Sequence, residues 1–347
     1  MVADYRAHAA ARGSRVRRAD EPGFGGGTEL HEEGGPVMHS VTTHVIYWDP
    51  SGRFTTTTKE IVEGFLGDVA HESGKPTNTF AIAGQYTDAA GNAAYDSRFA
   101  GALVDTHAYP NAGNCEVPKG EHPGEIEEGP YSTCLFDGQL QSELESFVAK
   151  ENLPRGPEQL YLLLTPHEVA TCLEEEFQGE QVCSNNFYCA YHSWIEPGSN
   201  EIIYADIPFS LLDSNFAKGC QADGLEEIQL PNGDRGSSDT ETRFADVALK
   251  YLAHEYIESA TDPLVGKETA WVDEEGLEIA DKCNSVPFHF EFEGKKFVIG
   301  EGEPGFDKKA FSPTLGGNAA AGTLFDQSID GGGSTCRASG TTKPKRA

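Results

Sequence analysis

An α+β fold, a mixed sheet with packed helices, is predicted by three observations. Segments rich in β-branched and aromatic residues alternate with amphipathic helical ones, which argues for helices laid on a central sheet. One strand, Gln159–Thr165, is apolar at nearly every position (Leu-Tyr-Leu-Leu-Leu), as a strand buried on both faces must be. A helical pattern also runs unbroken over about 241–262, with Phe244, Val247, Ala248, Tyr251 and Leu252 on one side.

The elements follow in order. Val41–Trp48 reads as a strand from its Val, Thr, Ile, Tyr and Trp content, and 58–70 as an amphipathic helix with threonines available to cap it. Residues 79–85 and 101–105 read as short strands. The stretch 108–134 holds Pro, Gly and two cysteines without periodicity and is expected to be a long stapled loop. A helix is expected over 139–150, then the buried strand. A hairpin over 187–194 and 202–207 turns around Pro197-Gly198-Ser199-Asn200, and a second over 288–299 turns around Glu293-Gly294-Lys295. Residues 1–36, Arg- and Gly-rich, read as a disordered leader, 37–330 as one domain, and 331–347 as a flexible tail.

Composition narrows the function classes. At 347 residues with 38% hydrophobic and 10% aromatic content, the chain can bury a sizeable core. No run approaches the ~20 apolar residues of a spanning helix, so membrane insertion is not expected. Asp and Glu number 56 against 26 Lys and Arg, a formal charge of -30, which disfavours nucleic acid and anionic lipid and suits cations or basic partners. Gly-x-Ser-x-Gly is absent, and Gly25–Gly27 is not set in a strand-helix unit, so serine hydrolase and nucleotide-binding readings have no support. Eight cysteines with no Cys-x-x-Cys pair read as disulfides, with Cys115 to Cys134 and Cys172 or Cys183 to Cys189 or Cys220 as local pairings. Disulfides and only two methionines point to an oxidising, secreted setting, although residues 1–27 hold no recognisable signal peptide.

The chemistry concentrates in Leu252-Ala-His254-Glu255-Tyr-Ile-Glu258-Ser-Ala-Thr-Asp262-Pro263. Residues four apart on a helix stack on one face, so His254, Glu258 and Asp262 converge, with Glu255 beside them. This resembles the zincin motif His-Glu-x-x-His with glutamate in place of the second histidine. Sheltered carboxylates this close raise one another's pKa unless a cation compensates. About twenty residues on, Ala270-Trp271-Val-Asp273-Glu-Glu-Gly276-Leu-Glu278-Ile-Ala-Asp281-Lys-Cys283 supplies Glu278 as the third expected ligand and Asp281 as a supporting or alternative one. The expected cofactor is Zn2+, with Ca2+ as the alternative because the set is rich in carboxylates. Glu255 is the expected general base. His192, on the first hairpin, reads first as a core or surface histidine, its other reading being a reach to the site.

The stretch from His254 to Cys283 resembles the signature of the phosphate-induced protein 1 (exordium-like) family, whose bacterial members carry His-Glu-x-x-Glu-x-x-Thr-Asp-Pro followed by Ala-Trp-x-Asp-x-x-Gly-x-Glu-x-x-Asp-x-Cys. Weaker echoes are Gly34-Gly35-Pro36-Val37-Met38, Tyr47-Trp48, Gln85-Tyr86 and Tyr188-Cys189-Ala190-Tyr191-His192-Ser193. The resemblance implies a secreted or wall-associated protein with a zincin-like sheet and site. The expected function is metal-dependent hydrolysis, with a peptide as the default substrate. The alternative is a non-catalytic extracellular protein that holds a structural ion and recognises a cell-wall component or partner.

Overall fold

The computed structural model describes residues 30–71, 73–74, 80–93, 96–110, 133–166, 169–177, 180–184, 188–196, 200–209, 240–274 and 276–281, and the strand pairs within 289–298 and 323–338. Mixed sheets and, among the described residues, three helices make it α+β, as expected. The central sheet has five strands: β2 (Val41–Trp48), β3 (Ser97–Asp105), β5 (Gln159–Thr165), β8 (Tyr191–Ile195) and β9 (Ile202–Pro208). Their order is β3-β2-β5-β9-β8, with every neighbour parallel except the edge strand β8, antiparallel to β9.

Period-two alternation splits β2, β5 and β9 between two cores. Val45, Tyr47, Leu160, Leu162, Leu164, Ile203 and Ala205 face one side, which is covered by helices α1 (Thr56–His71) and α3 (Thr240–Thr261). Ile46, Trp48, Tyr161, Leu163, Ile202 and Tyr204 face the other, which is covered by helix α2 (Asp137–Lys150). Helix α1 starts two residues before the predicted 58, and a threonine caps it as expected, Thr55 Oγ1 accepting the Thr58 N–H at 3.2 Å. Helix α3 is fixed at Tyr256, which stacks on Phe80 and donates its hydroxyl to Ser97 Oγ at 2.6 Å.

Several expectations need correction. Residues 81–85 form a 3₁₀ turn, not a strand, because Phe80, Ala83 and Tyr86 bury at a spacing of three. A small sheet of β4 (Thr133–Phe136), β6 (Val169–Phe177) and β7 (Glu180–Cys183) was not anticipated. The β6–β7 register sets Cys172 opposite Cys183 and they are disulfide-bonded, so neither pairs with Cys189 or Cys220. Cys134 and Cys189 each take part in a disulfide as well. The expected loop lies outside the described residues over 111–132. Both expected hairpins are present, the second as β11 (His289–Phe292) with β12 (Lys295–Val298). Thr335–Ala338 (β14), within the expected tail, pairs with Thr323–Asp326 (β13). The side chains of Phe244 and Val247 are outside the described set. No helix among the described residues is long and apolar enough to cross a membrane.

Order also begins earlier than residue 37. Leu30 packs into the core, and β1 (His31–Glu32) pairs with β10 (Trp271–Val272), so this N-terminal segment holds the one that follows α3. Gly35 N–H donates to the Thr269 carbonyl at 3.0 Å, and a Cβ on Gly35 would lie 1.8 Å from the Glu268 carbonyl oxygen. Gly35→Ala is therefore expected to destabilise the protein by about 1–3 kcal/mol, as overpacking does. Urea denaturation reads this directly, and an unchanged midpoint would contradict the packing.

Candidate metal centre

The helix presents its functional residues from a face that the fold buries. His254 is 8% exposed, Glu255 2% and Glu258 0%. Helix α3 is assigned to Thr261, and the Asp262 N–H still donates to the Glu258 carbonyl at 2.7 Å, so Asp262 closes the last turn. Its carboxylate accepts the Ala270 N–H at 2.8 Å, tying the next segment back to the helix end.

That segment is shaped by its own motif residues. Asp273 Oδ1 accepts the Leu277 N–H at 2.9 Å, and Gly276 adopts φ 80°, the left-handed region that favours glycine. The turn delivers Ala280 and Asp281, whose N–H groups donate to Glu258 Oε1 at 3.2 and 3.1 Å. Glu278 and Asp281 are thereby docked on the helix and buried, at 0% and 7% exposure. Each has a different histidine for a neighbour. Asp281 Oδ1 lies 3.5 Å from His254 Nε2, whereas Glu278 Oε1 lies 3.9 Å from His192 Nε2.

His192 is the residue that sequence reasoning undervalued. It lies on edge strand β8, is 1% exposed, and its Nδ1 is 3.2 Å from Glu255 Oε2 while its Nε2 is 3.1 Å from the Asp262 carbonyl oxygen. Its signals in the sequence were its place on a predicted hairpin and in the Tyr188–Ser193 echo of the family signature. Trp194, two residues along the same strand, donates its indole N–H to the Val265 carbonyl at 3.0 Å and so holds β8 against the turn after the helix.

Two overlapping groups of ligand-type atoms result, His254 with Glu255 and Glu258, and His192 with Glu258 and Glu278. Within each, the atoms lie within 4.8 Å of one another. Ligand atoms ~2.1 Å from an ion in a tetrahedral shell sit roughly 3.4 Å apart, so a bound cation has only to draw the set inward. No family model, curated protein or solved structure is matched by this chain. A third group, Asp105, His107 and Glu143, stands at the end of β3 on the opposite edge of the sheet. There Lys150 Nζ lies 3.4 Å from His107 Nε2 and supplies a positive charge from the chain itself.

Electrostatics mark the central site as short of positive charge. Burial works against a proton on His254, but Glu258, Asp281 and Glu255 outweigh it and raise its pKa to about 10. Burial, with Asp281 and Glu255 nearby, pushes Glu258 up to about 7 although His254 opposes the shift. In protein stripped of divalent ions both effects carry one sign. The His254 contribution to stability is whole below its ordinary 6.5 and is lost as pH rises through about 10. Ionising Glu258 disfavours the folded state as pH rises from 4.5 through about 7. Chelator-treated protein should thus lose stability as pH rises between 4.5 and about 10, and a divalent ion should flatten the profile. Urea midpoints measured across that range check it, and a rising profile would contradict the assignment.

Proposed function

We propose that the protein is an extracellular metal-dependent hydrolase whose site holds a divalent cation, zinc by preference, and acts on peptides. The observation that carries this reading is the convergence, in a buried space between α3 and edge strand β8, of two histidines with Glu255, Glu258, Glu278 and Asp281. Buried carboxylates in this number are costly without a cation, and two imidazole donors favour zinc over calcium, which takes oxygen ligands. The ordering of β8 beside the helix agrees with the zincin plan, and the His254–Cys283 stretch resembles the exordium-like family signature. The disulfide between Cys172 and Cys183 suits secretion.

His254, Glu258 and Glu278, with His192 and Asp281 beside them, are the residues that would hold the ion. A bound ion of this kind lowers the pKa of a coordinated water toward ~7 and polarises a carbonyl. Glu255 then serves as the base. It stands one residue along the helix from His254, takes the water's proton, and passes it to the leaving group. His192 Nδ1, 3.2 Å from Glu255 Oε2, fixes the orientation of that carboxylate. A second reading, a non-catalytic protein with a structural ion and a cell-wall partner, draws on the depth of Glu258 and Glu278, both fully buried.

Elemental analysis of protein never exposed to chelator, paired with cleavage of a diverse peptide library, tests the proposal. Bound metal with cleaved peptides supports the hydrolase. Bound metal without any cleavage moves the conclusion to the binding protein, and absence of zinc, calcium and manganese alike removes the centre.

A further inference from the structure

The two donor groups around Glu258 do not coincide, and their separation has a chemical meaning. On one side, His254 Nε2 lies 3.1 Å from Glu258 Oε2 and 3.5 Å from Asp281 Oδ1. On the other, His192 Nε2 lies 3.9 Å from Glu278 Oε1 and 3.1 Å from the Asp262 carbonyl oxygen. Both nitrogens of His192 face oxygen, Glu255 at Nδ1 and the Asp262 carbonyl with Glu278 at Nε2. With the proton on Nδ1, as carboxylates hold it in metal-bound histidines, a cation at Nε2 satisfies the oxygens there.

Glu258 is common to both sides. It is completely buried, its Oε1 already accepts two N–H groups, and its Oε2 has only the His254 ring, at 3.1 Å, against it. A cation bound at His254 Nε2 would take up that oxygen in place of a proton. Charge counting points the same way. Glu255, Glu258, Glu278 and Asp281, all 7% exposed or less, carry four negative charges when ionised. One divalent ion leaves half of that charge uncompensated in a buried site, whereas two ions balance it.

We propose that the site binds two divalent ions, one held by His254, Glu258 and Asp281, the other by His192, Glu258 and Glu278, with Glu258 shared between them. This rests on the metal-centre reading above and deepens it. Paired ions ~3.5–4 Å apart clamp both the attacking and the leaving oxygen of a displacement, a device of aminopeptidases and phosphatases.

The test counts ions in the full-length protein, loaded with Zn2+ and freed of excess by gel filtration, by mass spectrometry of the metal against amino-acid analysis. We expect two per chain, falling to one in His192→Ala with the His254 ion retained. One per chain in the wild type overturns the two-ion proposal and leaves the metal centre standing; none overturns both. Since His192→Ala empties a buried position, a second measurement uses the wild type alone. Protein saturated with Mn2+ should give the paramagnetic resonance spectrum of an exchange-coupled pair, and isolated-ion signals alone at saturation would overturn the proposal.

Discussion

Glu255→Gln should retain its metal and its thermal stability while losing at least ~10²-fold in rate on any substrate that the wild type cleaves. The amide keeps the shape of the carboxylate, and its oxygen still accepts from His192 Nδ1, so the buried contact at 3.2 Å survives. It cannot take a proton from water. A structural ion would make the same substitution nearly silent, because Glu255 then only orients His192. The paired measurements are metal content with unfolding temperature on one side and kcat/KM on the other. Equal kcat/KM for the two proteins would refute the proposed chemistry, and loss of metal in the variant would reassign Glu255 as a ligand.

What the sequence disclosed depends on how local each signal was. Helix α3 and the segment from Ala270 to Asp281 were legible because their chemistry is written at spacings of three and four, and each residue there has a positional reason. Asp262 anchors Ala270, Gly276 takes the left-handed turn, and Glu278 with Asp281 flanks Glu258. His192 was obscure because it meets Glu255 across 63 residues of sequence, through a strand order that periodicity does not reveal. Strand β6 was missed because its Glu174-Glu175-Glu176 run, exposed or half-buried, favours helix, while only Val169 to Leu173 packs inward. The 3₁₀ turn at 81–85 looked like a strand because a short apolar run does not fix its own period. The two core faces, by contrast, were visible in β2 and β5, where residues of alternate parity reach opposite helices.

His254→Ala should lose the ion that His254 holds and destabilise the protein by about 3–5 kcal/mol, the range seen when one partner of a buried ion pair is removed. The reasoning turns on what is left behind. Glu258 Oε2 and Asp281 Oδ1 both face His254 Nε2, at 3.1 and 3.5 Å, and alanine leaves these two buried acids on one another without a positive charge. Most of the cost therefore comes from stranded charge, not from the cavity. Adding Glu258→Gln to His254→Ala should accordingly recover part of the stability even though metal binding stays lost, whereas a pure cavity effect would give no recovery. Urea unfolding of the wild type, the single variant and the double variant, with ion counts for each, separates the two causes. An unchanged midpoint and full metal content in His254→Ala would remove His254 from the centre altogether.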